Sequence, residues 1–247
     1  MSRLNIKIKE QKPNECLPAC LQAIFEYYQI KISEEEIIEK ISKNSFKLYD
    51  WDFQAGKLII EKGLKAEIYS NVTLIFDPSW YNISRKTLIK KVKKLIIFFK
   101  KRNENFEKDP MKWGNFFCPS KWMAQQLVKE AETLLVFLKS GGTINFSPIS
   151  KELIIKLIDL KTPVITHHNP TLLHRMKRRY NNQSDDIKGN TWGHAIIISG
   201  YTNDEFIIND PAGLTYEGSL VYKVNKDLLL ESILRYNSQL LVIKKWI

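Results

Sequence analysis

The chain has 247 residues, 44% of them hydrophobic, and a formal net charge of +11 at pH 7. That length and apolar content can fill one large domain, or a domain with an inserted subdomain, without disulfide staples. Residues 1–11 lack an apolar stretch followed by a small-residue cleavage site, and no later stretch reaches the roughly 18 apolar residues that a membrane span needs, so a soluble, cytoplasmic protein with no membrane span is expected. Cys16, Cys20 and Cys118 are an odd number of cysteines without an export signal, which argues against a disulfide framework and fits a reducing compartment.

Residues 4–9, Leu-Asn-Ile-Lys-Ile-Lys, alternate apolar and polar and predict a short strand that leads into a loop from Gln11 to Cys16. A helix follows, because Leu17, Cys20, Leu21, Ile24, Tyr27 and Tyr28 recur at three- and four-residue spacing. Pro18 is compatible with it in the first turn, where its missing N–H would have no intrahelical partner. Cys16 thus opens the helix. Ser33 with Glu36 is a capping-box pattern for a second helix, whose buried side is Ile37, Ile38 and Ile41, and Asp50 starts a third that ends near Gly63.

From Pro78 to Gly142 helical periodicity dominates, which predicts a helical insertion over 78–142 within a single domain spanning 1–247. Here Lys86, Lys90, Lys91, Lys93, Lys94, Lys100, Lys101 and Arg102 interleave with Leu88, Ile89, Val92, Leu95, Ile96 and Phe99, the pattern of an amphipathic helix with a solvated basic face. This basic helix, 86–102, would suit an acidic partner; a nucleic acid is not expected, because lysine is abundant throughout the chain. An aromatic connection, Lys112 to Phe117, follows. Beyond Thr143 the chain is strand-rich, with strands at 163–167, 195–201, 206–209, 219–224 and 239–244 and helices at 151–160 and 226–236. Helices first and a largely antiparallel sheet later define an α+β fold. Arg175, Lys177, Arg178 and Arg179 form a second basic cluster in a predicted loop.

A thiol of ordinary pKa, about 8.5, is mostly protonated at neutral pH, but a helix N-terminus and a neighbouring imidazolium both favour the thiolate. Cys16 has the first of these by position. Cys20, one turn further in, lies on the apolar stripe and is expected to be a small buried hydrophobe. No second cysteine or histidine pair follows at ligand spacing, so no metal and no other cofactor is expected. His194 sits between Gly193 and the apolar run Ala195 to Ile198, where glycine leaves room for something to approach. A hairpin turning at Thr202-Asn203-Asp204 would bring Asp210 beside His194 at one end of the sheet. Asp210 would then hold the imidazole in the tautomer whose other nitrogen faces a thiol. Gln11 can supply a side-chain amide to an oxyanion. His167 and His168 end a strand and point to opposite sides, so only one of them can line a given cleft, and Trp192 can wall the histidine from solvent.

These residues resemble the papain-like cysteine peptidases of the C39 type, the bacteriocin-processing peptidases and their stand-alone relatives. There a Gln precedes a segment of the form Asp-Cys-Gly-x-Ala-Cys-Leu, matched here by Glu15-Cys16-Leu17-Pro18-Ala19-Cys20-Leu21. A later Gly-His, apolar strand, turn, second strand and Asp-Pro is matched by Gly193-His194 through Asp210-Pro211. The resemblance covers residues 4–42 and 143–245 and implies a papain-like α+β fold, with N-terminal helices packed on a mainly antiparallel sheet. It implies Cys16 as nucleophile, His194 as base and then acid, Asp210 as its orienter, Gln11 as oxyanion donor, and a peptide or amide as substrate. The same thiol would serve an acyltransferase or transpeptidase, and a catalytically inactive binding module of the same fold is the alternative from a different class.

Overall fold

A computed structural model describes residues 2–42, 50–72, 75–105, 121–181, 183–214, 218–236 and 238–246. At its centre lies β7 (His194–Tyr201), buried at every position but the last. Its run of Ala195-Ile196-Ile197-Ile198 is continuous rather than alternating because both faces of the sheet are covered. On one side β7 pairs with β4 (Val164–His168), which pairs with β10 (Gln239–Lys244), then β2 (Lys65–Ser70), then β3 (Thr143–Asn145). On the other side it pairs with β8 (Glu205–Asn209) and then β9 (Val221–Asn225). Every pairing is antiparallel except β2 with β3. A separate two-stranded strap is formed by β5 (Arg179–Tyr180) and β6 (Gln183–Ser184).

One face of the sheet carries α1 (Cys16–Tyr27), α2 (Glu34–Ser42), α3 (Asp50–Glu61), α4 (Arg85–Asn105) and α5 (Lys121–Lys139). Their apolar sides join Ile165, Ala195, Ile197, Leu241 and Ile243 in one cluster. The opposite face carries α6 (Lys151–Asp159) and α8 (Lys226–Leu234), which pack on Val164, Ile196, Ile198, Leu240 and Val242. A one-turn helix, α7 (Pro170–Leu173), follows β4. This is the α+β, mainly antiparallel, papain-like architecture expected. The Ser33 cap is present, its Oγ accepting from Glu36 N–H at 3.1 Å, and Gly63 ends the α3 segment at φ 81°.

Three expectations need correction. Residues 4–9 do not form a strand; only β1 (Ser2–Arg3) pairs with Tyr201 and Gly200, and Leu4 N–H reaches Ser199 O. The alternation still buries Leu4 and Ile6, but that edge of β7 is taken by β4 over His194 to Ile198, so the segment has no strand to pair with. Strand β2 lies between the third helix and residue 78, where no element is predicted. Arg102 is buried rather than on the basic face; it follows Phe99 and Leu95 around to the inner side of α4, while Lys86, Lys90, Lys93, Lys94, Lys100 and Lys101 are exposed. Cys118 and the aromatic stretch 112–117 lie outside the described residues. Among the described residues no helix is long and apolar enough to cross a membrane.

The α3–α5 contact depends on two glycines. Phe137 is fully buried, and a Cβ built on Gly56 or Gly142 would lie 2.5 Å and 2.3 Å from its ring. Glycine in a helix interior ordinarily costs about 1 kcal/mol relative to alanine. At Gly56 this sign reverses, because a walled-in ring cannot move aside. Gly56→Ala is expected to destabilise the protein by about 1–3 kcal/mol, read as a lower urea midpoint at unchanged m-value.

Candidate active site

The approach to Cys16 is set by a short turn. Glu15 N–H donates to Lys12 O at 3.0 Å, and Asn14 takes the left-handed conformation, φ 65°, that asparagine tolerates better than most residues. Gln11 N–H donates to Pro211 O at 2.8 Å, which ties this loop to the end of β8. Cys16 is the first residue of α1, and Leu17, Pro18, Cys20 and Leu21 bury the helix behind it.

Ala195 lies two residues past the last β7–β8 pair, Ile197 with Asn209, and its peptide groups meet α1 instead of a strand. Its N–H donates to Cys16 Sγ at 3.4 Å, and its carbonyl accepts from Cys20 Sγ at 3.5 Å. Cys20 is therefore a buried tether as well as an apolar filler. Burial, then the charges of Cys16 and Asp210, push its thiol well above the ordinary range.

His194, 2% exposed, opens β7, and Asp210, fully buried, follows β8. The hairpin between them closes with Thr202 N–H on Glu205 O at 2.8 Å. His194 Nε2 lies 2.6 Å from Asp210 Oδ1, which leaves Nδ1 as the ring nitrogen that can serve the Cys16 thiol. Asp210 Oδ1 further accepts from Ala212 N–H at 2.8 Å, and Oδ2 accepts from Leu214 N–H at 3.2 Å and from Tyr222 O–H at 3.0 Å. The turn that aims these N–H groups passes through Gly213 at φ 56°, where a Cβ would lie 2.6 Å from Gly218 O.

The electrostatics follow from this geometry. Burial opposes the Asp210 charge, but His194 and the two backbone N–H groups outweigh it and hold the carboxyl at about 2. Burial likewise opposes the His194 cation, yet Asp210 and Cys16 raise it to about 9. At Cys16 burial favours the neutral thiol; the His194 hydrogen bond and charge, with the Ala195 and Leu17 N–H groups, reverse that and lower its pKa. The arrangement can hold a thiolate–imidazolium pair near neutral pH.

Of the residues singled out in the sequence, His194 and Asp210 are in direct contact, and Cys16 is brought to the same strand end by the bond from Ala195 N–H. Gln11 joins them through its backbone bond to Pro211, and its Oε1 is buried without a hydrogen-bond partner. His168 and His167 do diverge. His168 packs edge-on against His194 with ring centroids 5.6 Å apart, and burial holds its pKa well below the ordinary value, so it is a neutral wall. His167 Nδ1 lies 3.5 Å from Asp52 Oδ1, too long for a good hydrogen bond, and burial lowers its pKa in spite of that carboxylate. Trp192 stands 6.2 Å from the His194 ring, as a wall of the base. What approaches Gly193 is Tyr236, whose ring would be 2.0 Å from a Cβ there.

Sequence reasoning missed Tyr222 and His174. His174 Nε2 lies 3.2 Å from Tyr222 Oη, so the phenol that donates to Asp210 is itself held from behind. Neither had a local signal; Tyr222 reaches Asp210 only because β9 pairs with β8 in the register Ile208 with Tyr222. Among the described residues no cluster of three or more His, Cys, Asp or Glu could hold a metal ion.

A cysteine at the N-terminus of a helix thus stands beside a histidine on an antiparallel sheet. The model of the Peptidase_C39 like family matches residues 3–237, and the chain belongs to that family. It is also similar, at 14% identity and a TM-score of 0.44, to a crystal structure of a "putative C39-like peptidase" from Bacillus anthracis, with 99% of this chain and 98% of that one covered. No curated protein matches the chain.

Proposed function

We propose that the chain is a cysteine peptidase that cleaves a peptide or amide bond through Cys16, His194 and Asp210. The observation that carries this reading is the buried His194–Asp210 contact at 2.6 Å with the Cys16 thiol held beside it, 3.4 Å from the N–H of the next residue, Ala195. The thiolate adds to the carbonyl carbon, and the oxyanion faces the N-terminus of α1, whose first N–H groups lack intrahelical partners, with Gln11 as side-chain donor. His194 gives its proton to the leaving amine as the C–N bond breaks. It then takes a proton from water, which displaces the thiol from the thioester and releases the acid. Asp210 keeps the ring oriented and its cation stable throughout. Transfer to an amine instead of water would use the same first half, and product analysis with added amines separates the two outcomes. The complete set of three groups favours catalysis over a binding-only role.

Site-resolved alkylation against pH tests the pair directly. Iodoacetamide is expected to modify Cys16 rapidly below pH 7 while leaving Cys20 largely unreacted, because Cys20 is buried with a raised pKa. In His194→Ala the fast reaction at Cys16 should vanish. A Cys16 that titrates as an ordinary thiol in the wild-type protein would sink the reading.

A further inference from the structure

Trp192 is not a bare wall. The guanidinium of Arg179 lies 3.7 Å above its ring, in the stacked geometry that arginine adopts on aromatic faces. The backbone of Arg179 is fixed there by a reciprocal pair of bonds, Arg179 N–H to Asn190 O at 3.0 Å and Asn190 N–H to Arg179 O at 2.8 Å. The strap around it is closely knit. Arg178 donates to Ile187 O at 3.2 Å, Asp185 Oδ1 accepts from Ile187 and Lys188 N–H, and a Cβ on Gly189 would lie 2.2 Å from Asp185 O. The strap's carboxylates are also engaged: Asp185 caps its own turn, and Asp186 lies 3.6 Å from Lys177. Among the described residues no carboxylate forms an ion pair with Arg179. The indole Nε1 of Trp192 is likewise buried without a hydrogen-bond partner.

We propose that Arg179, seated on Trp192, is a specificity site for a carboxylate on the leaving-group side of the scissile bond. This rests on the reading of Cys16 as nucleophile and His194 as acid. The acid that protonates the leaving amine stands on that amine's side of the cleft, so the wall beyond His194 borders the segment that departs. The Arg179–Trp192 and Trp192–His194 separations together bound the guanidinium at about 10 Å from the imidazole. At roughly 3.3 Å per extended residue, that limits the reach to at most about three residues along the leaving segment. The fork of a guanidinium matches a carboxylate in two parallel hydrogen bonds, and stacking on Trp192 pre-organises it, so less side-chain entropy is lost on binding. The carboxylate can be that of an Asp or Glu side chain, or the C-terminus of a short leaving segment.

The test is cleavage of a quenched-fluorescent peptide library, followed by matched peptides with Glu, Gln or Lys two and three residues after the cut. Each peptide is made with a free and with an amidated C-terminus. Wild-type enzyme should prefer Glu over Gln by about 10- to 100-fold in kcat/KM, the range for a hydrogen bond to a charged group. Arg179→Lys should keep part of that preference, and Arg179→Glu should turn it toward Lys. A preference abolished by amidation and indifferent to the side chain identifies the terminal carboxylate as the ligand. Alkylation of Cys16 in every variant reports whether the thiol–imidazole pair is intact. Cleavage without a carboxylate preference, or a Glu preference that persists in Arg179→Glu with Cys16 still reactive, overturns the role of Arg179 and leaves the peptidase reading standing. No cleavage of any peptide by wild-type enzyme, together with an ordinary Cys16 titration, overturns both.

Discussion

Cys16→Ala is expected to lower peptide hydrolysis by at least about 10⁴-fold, leaving only what binding and the oxyanion donors supply. The proposed nucleophile is also the group that, with Asp210, raises the His194 pKa, so its removal would take away both the attacking atom and part of the charge that holds the imidazolium. Folding should survive, because the helix is anchored by Leu17, Cys20 and Leu21 rather than by the thiol, and Cys20 still holds the Ala195 carbonyl. His194→Ala should cost about as much, and the double variant no more than either single one, since the two act as a unit. Progress curves on a library-derived peptide give the comparison. Retention of activity within tenfold in Cys16→Ala would remove the thiol from the mechanism.

Asp210→Ala is expected to reduce kcat on the order of 10⁴-fold and to narrow the pH profile. The high-pH limb of kcat/KM belongs to loss of the His194 proton, at about 9 in the wild-type protein. Burial works against that cation, and the hydrogen bond to Asp210 is the strongest effect opposing burial, so without the carboxylate the limb moves to lower pH. A weaker imidazolium also stabilises the thiolate less, which moves the low-pH limb, governed by Cys16, upward. Both changes shrink the window in which thiolate and imidazolium coexist. A profile that keeps its high-pH limb near 9 in Asp210→Ala would mean that His194 owes its proton to something else.

Cys16 and the helix it opens were legible because both rest on local pattern, a three- to four-residue apolar repeat behind a loop. The meeting of His194 with Asp210 was legible for a related reason: two apolar strands joined by a three-residue turn can hardly do other than pair, although a bulge between Ile198 and Gly200 shifts the register by one residue from what the turn alone would set. Residues 4–9 show where this stops. Their alternation correctly buries Leu4 and Ile6, yet pairing depends on which strand already occupies the edge of β7, and β4 comes from far along the chain.

By itself, then, the sequence determined the nucleophile candidate, the imidazole and carboxylate that face it, and the α+β class, all through periodicities and turns spanning a few residues. Only the tertiary structure decided that Cys20 tethers Ala195, that Tyr222 and His174 brace Asp210 from behind, and that Arg179 lies on Trp192 beside His194. Each of these contacts joins residues from separate elements, and strand order, register and loop packing are cooperative outcomes of burying both faces of one sheet, which no short window of sequence encodes.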